Sequence, residues 1–583
     1  MIKLSRIIIT SICLVSAVYT SAQTQFYVEG LGRAQIANDA LKGNVLASDT
    51  IGGKKQIERK NTGGYTLLDL GFNIEKKDKF YLNTILRGRN SFGLFWGEGT
   101  TFEFRKITFG GLIGTGVKYE LGDIYVEMSP YTLFMPEADY SKYESNLFGL
   151  RRDILKYENF LDGNSRFQQG FKADGTLLFT KGIEKLHLAG FATRTQEITQ
   201  LGDPDIIMAG ASVKAMQGKF GTLGVNLVSL FDLPVATNVE ELSATTLTAN
   251  INPSIKVNNK LIIGIDAEVG GSNYSSAFTG TVPQKLSFSG YLVDAKAKLE
   301  MKKYKTVFYA GYKNVDASFR APAAQTRRIN DNQSSQVFPT NAVDVAGAKV
   351  LRSTLLFDRF TQENMYRQGI SKTLQSFNPA FNNVNPYGAA TPNRKGFVVD
   401  VIKGTSKDAL SFDLHAQLLS EIDADNTTNA SLRKFTSITS GVLVNISKIA
   451  DFKKDVNVSF GYQMENTTRT GNESVDLVSS VIDVAASAEV ANDFDLMFGL
   501  KHYAVDGNEY TSTINQVNYT REIFTPRAYN TSELVLSMGA RLRFTEKSAL
   551  TVTYSILDSA NLLSSSSDDY KWNQLFVNYT MKF

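Results

Sequence analysis

Residues 569–583 read DYKWNQLFVNYTMKF, and every second residue back from the end is apolar: Phe583, Met581, Tyr579, Val577 and Leu575. The interleaved Lys582, Thr580, Asn578 and Gln574 are polar, with Phe576 the one exception. A period of two over this length specifies a strand with one apolar face and one wet face. The same alternation begins the mature chain, where Phe26, Val28, Ala34 and Ile36 alternate with Tyr27, Glu29, Arg33 and Gln35. No folded domain is expected ahead of this first strand.

Between the two ends the alternation recurs in couplets. Leu68, Leu70, Phe72 and Ile74 run to a turn at Lys76 and Lys77, and Phe80, Leu82 and Leu86 run back. Leu534, Leu536, Met538 and Phe544 run to a turn at Glu546 and Lys547, followed by Leu550, Val552 and Tyr554. Such couplets fill the chain and give about 22 strands, within a range of roughly 16 to 22. Connections alternate in length: short turns rich in Lys, Asp, Gly and Asn at one end, and long segments at 38–62, 88–106, 133–174, 319–395 and 504–530 at the other.

This layout predicts an all-β fold, a single large antiparallel transmembrane β-barrel. Its N and C termini are expected on the periplasmic, short-turn side and its long loops outside the cell. A soluble sandwich also alternates, but this many strands would have to divide into domains joined by linkers. No linker and no fixed-period repeat is visible. No apolar run beyond the N-terminal stretch reaches the ~20 residues of a membrane helix, so strands must do the crossing. Aromatic usage, 25 Tyr and 37 Phe against 2 Trp, suits strands and interface girdles.

Residues 1–22 have the form of a secretory signal: Lys3 and Arg6, then an apolar core, then the small residues Ser21 and Ala22 before Gln23. The single cysteine, Cys13, lies inside that core, so the mature barrel, 23–583, carries no thiol. Without Lys3 and Arg6 the 62 basic residues fall to 60 against 58 acidic ones, which gives no reason to expect a nucleic-acid partner.

The Thr20-Ser21-Ala22-Gln23 junction and the ending Asn578-Tyr579-Thr580-Met581-Lys582-Phe583 resemble those of Bacteroidota-type outer-membrane proteins, porin-like barrels. The resemblance is to a class and covers the two ends and the layout. It implies outer-membrane location among outer-membrane lipids and insertion by a barrel-assembly machinery that reads Tyr579, Met581 and Phe583.

Charges on the wet faces are the candidate lumen residues: Glu29, Arg33, Asp69, Lys118, Glu127, Asp413, Glu465, Lys501, and above all Arg87, Arg89, Asp266, Glu268, Arg541 and Arg543. The i,i+2 arginine pairs share a face and form either an anion-attracting strip, with Asp266 and Glu268 as its counterpart, or cross-strand braces. Bracing is the preferred reading. The longest connection, 319–395, holds an Asn/Pro-rich stretch of turn-fixing residues. It is expected to fold inward or lid the mouth, with or without 133–174, and to present Tyr387, Asn393, Arg394 and Lys395 to solute. An external loop meeting a protein partner is the competing reading. Leu147, Leu150, Ile154, Tyr157 and Leu161 recur at helical spacing and predict a short core-facing helix.

Three histidines, His187, His415 and His502, give little support for catalysis. Asp413 and His415 share a strand face, where side chains stand parallel rather than pointing at each other. No nucleophile elbow, metal-ligand spacing or phosphate loop occurs. An enzyme, a metal and a cofactor are therefore not expected. The expected function is a porin-like channel for passive diffusion of small hydrophilic solutes. The alternative is a barrel subunit of a larger secretion or adhesion assembly.

Overall fold

A computed structural model gives the arrangement of residues 24–43, 50–51, 54–55, 58–77, 79–92, 100–114, 116–133, 141–158, 161–162, 165–166, 168–196, 206–218, 220–233, 240–278, 284–324, 383–385, 388–424, 431–471, 473–514, 521–563 and 569–583. The signal stretch and Tyr387 lie outside these described residues.

The wall is built from β1 (Thr24–Gly43), β2 (Glu58–Lys76), β3 (Phe80–Ser91), β4 (Thr100–Ile113), β5 (Val117–Ile124), β6 (Gln168–Leu178), β7 (Lys185–Gln196), β8 (Ile206–Gln217) and β9 (Gly221–Asp232). It continues through β10 (Glu240–Ile251 with Ser254–Asn258), β11 (Leu261–Phe278), β12 (Gln284–Met301), β13 (Thr306–Val315), β14 (Arg394–Lys403), β15 (Leu410–Ser420) and β16 (Lys434–Asn445). The last strands are β17 (Val456–Arg469), β18 (Val475–Ala491), β19 (Phe494–Ile514), β20 (Arg521–Thr545), β21 (Ser548–Asn561) and β22 (Tyr570–Lys582). The two pieces of β10 both pair with β11 and are parted at Asn252 and Pro253, where proline has no N–H to give the ladder.

Every strand pairs antiparallel with its sequence neighbour, and β1 pairs with β22 from Leu31↔Lys582 to Gly43↔Tyr570. The ring is therefore closed at 22 strands. Closure leaves no free sheet edge, which is the condition for strands to lie in lipid. The C-terminus seals the seam: the Gly30 N–H donates to the Phe583 carbonyl at 2.9 Å and the Phe583 N–H donates back at 3.1 Å. The first and last strands of the wall thus meet at the short-turn end. Among the described residues no helix is long and apolar enough to cross a membrane.

The alternation sorts the two faces as expected. On β20 Leu536 is 45% exposed on the outside while Val535 is fully buried within. On β22 Leu575 is 44% exposed and Phe576 only 3%, so the lone apolar residue of the wet set points into the bore. A bulge between β3 and β4, at the Ile85/Leu86 register shift, reverses parity. Phe104 and Phe109 consequently both face out.

Three stretches expected as loops, 38–62, 88–106 and 504–530, hold much paired strand, the second through the β3–β4 pairing that reaches Asn90↔Thr100. Pairing of β1 with β2 reaches Lys42↔Glu58, and pairing of β19 with β20 reaches Ile514↔Arg521. Above the bilayer both faces of a strand meet water, so the period-two apolar signal vanishes while the ladder continues. The connections that are not hairpins are 125–167 and 316–393. The first carries the helix α1 (Asn146–Glu158).

Candidate functional site

The described parts of the connection after β5, residues 125–133 and 141–158, lie inside the bore. β5 is only 8 residues long, and its last residue, Ile124, is buried with Leu133, Phe191 and Met208. These parts of the connection touch several sectors of the inner wall. Ser129 Oγ donates to Glu268 Oε1 of β11 at 2.5 Å, and Tyr131 Oη donates to Asp294 Oδ2 of β12 at 2.7 Å. Further on, Glu144 pairs with Lys501 of β19, and each side chain is only 2% exposed.

The wall is cut back to receive this segment. A Cβ on Gly441 of β16 would stand 2.4 Å from Ser141 Oγ, and one on Gly499 of β19 would stand 2.7 Å from the Phe148 ring and 3.0 Å from Leu147. A side chain at either position would have to push these inner side chains back from the wall.

Helix α1 carries Leu147, Leu150, Ile154 and Tyr157 of the predicted stripe, while Leu161 lies past its end in the short strand Leu161–Asp162. Leu147 and Phe148 join Leu477, Met497, Tyr503, Val535 and Trp572 in the largest interior cluster. Leu150 and Ile154 pack on Ala37 and Phe576. Tyr157 packs on Leu31, Tyr65 and Leu67. This core-facing placement matches the spacing read from the sequence. One helical turn later Tyr157 also closes a polar cluster: its hydroxyl donates to Asp69, and its ring lies 3.8 Å below the Arg105 guanidinium, with Arg33 and Arg87 at 5.5 and 5.4 Å.

The candidate lumen residues line the same bore in oppositely charged or stacked arrangements. Arg87 is buried and forks onto Asp69 of β2, both bonds at 2.8 Å. Arg89 stacks 3.9 Å over the Tyr65 ring. Asp266 stands opposite Lys296 in the β11–β12 register, and Lys296 reaches Asp400 at 3.2 Å. Glu268 holds Ser129. Arg541 and Arg543 both reach Asp495, at 2.8 and 3.0 Å, near the short-turn rim. His415 pairs with Asp400 on the neighbouring strand, while Asp413 lies beside Ser141 against Gly441.

The described ends of 316–393 also lie against the inner wall. Val384 N–H donates to Glu465 Oε2 at 3.1 Å, and Phe319 is fully buried beside Gly290. Arg394 is buried, donates to the Val384 carbonyl at 2.8 Å and stacks 3.7 Å over Phe435. Asn393 accepts from the N–H groups of Ile422 and Asp423 and so clips the next connection. Lys395 pairs with Ser420 and shares the parity of outward-facing Phe397 rather than that of buried Arg394 and Val398, so it does not face the bore with Arg394. Of the insertion-signal residues, Met581 and Phe583 are exposed, and Tyr579 meets Phe544 edge-on at 5.9 Å.

Glu144, Ser129 and Tyr131 were not singled out in the sequence. Each sits in an irregular stretch, and its wall partner is more than a hundred residues away.

The fold and this interior define a class: a closed 22-strand barrel whose bore holds parts of one of its own connections. No protein-family model matches the chain, and no curated protein matches it either. Solved structures of comparable layout are the ferric citrate transporter FecA in the unliganded form (9% identity, covering 95% of this chain and 78% of that one, TM-score 0.46). OccK2 (OpdF) of Pseudomonas aeruginosa in complex with glucuronate is another (10% identity, 97% and 99% covered, TM-score 0.36). A BenF-like porin from Pseudomonas fluorescens Pf-5 is a third (8% identity, 95% and 99% covered, TM-score 0.34).

Proposed function

We propose that the chain is an outer-membrane, porin-like channel of the Bacteroidota-type class that passes small hydrophilic solutes by passive diffusion. The observation that carries this reading is the bore itself: a closed ring, apolar outside and charged inside, narrowed by a built-in segment rather than by a separate domain. Barrels of this circumference leave a wide lumen unless something fills it. Here the connection after β5 is the filler, and the mixed charges Asp266, Lys296 and Asp400 on the wall set which solutes pass.

Purified protein in a planar bilayer is expected to give discrete conductance steps. A silent bilayer, with the barrel shown to be folded, ends the channel reading. The second reading, a subunit of a larger secretion or adhesion assembly, is favoured by β19 and β20. They run 21 and 25 residues, about twice the ~10 that a membrane strand needs. A silent barrel that co-purifies with a stoichiometric partner through this raised hairpin supports it.

A further inference from the structure

The described residues of the ten short turns carry twelve lysines against six carboxylates, and no arginine. The lysines are not spread evenly. Seven of them fall in three neighbouring turns, 302–305, 404–409 and 446–455, which hold only Asp408, Asp451 and Asp455 in return.

These turns form one surface. The Gly404 N–H donates to the Lys305 carbonyl at 2.9 Å, and the Asn445 N–H donates to the Ala409 carbonyl at 2.9 Å. Lys305 pairs with Asp408, and Lys448 Nζ donates to the Lys407 carbonyl. Lys302, Lys303, Lys407 and Lys453 are exposed and reach no carboxylate among the described residues. Among them stand three apolar side chains in the open: Tyr304 at 59%, Phe452 at 57% and Ile449 at 64% exposed.

We propose that this patch binds the headgroups of anionic phospholipids in the leaflet at the short-turn end. Phosphate supplies the charge that the unpaired lysines lack, and lysines near an anionic surface add to its hold. The apolar trio favours lipid over a soluble anion: Tyr304, Ile449 and Phe452 each stand more than half exposed and fit the boundary between headgroups and acyl chains. The site is independent of what the bore passes, so a silent bilayer leaves it untouched.

The test is native mass spectrometry of the full barrel released from micelles doped with equal phosphatidylglycerol and phosphatidylcholine. Phosphatidylglycerol should be retained selectively, and Lys302→Gln/Lys303→Gln/Lys407→Gln/Lys453→Gln should lower its retention by about tenfold or more. Ile449→Ser/Phe452→Ser should weaken retention of both lipids. Folding of each variant is read from heat-modifiable gel migration. If the quadruple variant does not fold, raised salt on the unaltered protein must abolish the selectivity. Equal retention of the two lipids overturns the site, as does selectivity indifferent to lysine removal. Displacement by inorganic phosphate alone overturns it too, because it reveals an anion site with no use for the apolar trio.

Discussion

Glu144 and Lys501 bury a carboxylate and an ammonium together, each 2% exposed, between a connection and the wall. Removing one partner leaves the other charge in a dry site, at a cost of about 3–5 kcal/mol. Glu144→Gln should therefore lower the denaturant midpoint sharply, while Glu144→Met/Lys501→Met recovers most of the loss. Equal destabilisation by the single and double variants sinks this account. At the rim Asp408 behaves differently. Lys305 beside it, helped by the Thr405 N–H and hydroxyl at 2.8 and 3.0 Å, holds its carboxyl down to about 2. A depressed carboxyl adds stability above its ordinary value near 3.9 and loses it as pH falls toward 2. Asp408→Asn should lower thermal stability across pH 5 to 7, where the ionised carboxylate contributes, and flatten the fall between pH 4 and pH 2. A variant as stable as the parent at neutral pH, with the same fall in acid, contradicts the assignment.

Elements of this barrel are specified by what each face meets. Leu536 lies on the outer face of β20 at 45% exposure, and Leu536→Arg should destabilise the barrel by about 2–4 kcal/mol if the site is near the bilayer midplane. Unfolding in lipid vesicles measures it, and a neutral effect excludes lipid contact there. The inner face of β19 has a different constraint. Gly499→Leu fills the space now held by Phe148 and Leu147, so the segment 141–158 must back away from the wall. Single-channel conductance should rise while the strand ladder stays intact. Unchanged conductance in a folded variant would show that this segment does not set the bore. Strand ends teach a related lesson. β1, β2, β19 and β20 outrun the alternation that announced them, because pairing continues where both faces are wet and the hydrophobic pattern falls silent.

At the scale of the whole molecule, closure is the controlling event. Twenty-two strands joined through Leu31↔Lys582 satisfy every ladder and place the first and last strands together at the short-turn end. Strand alternation, outer and inner faces and the amphipathic stripe of α1 were all legible in the residues, because each depends on neighbours two or four positions away. The chain alone therefore determined a ring of strands with an apolar belt and a charged interior. It did not determine that the connection after β5 lies inside the bore, that Glu144 finds Lys501, or that Gly441 and Gly499 make room for it. Those contacts join residues hundreds of positions apart, and only the closed ring brings them within reach of one another.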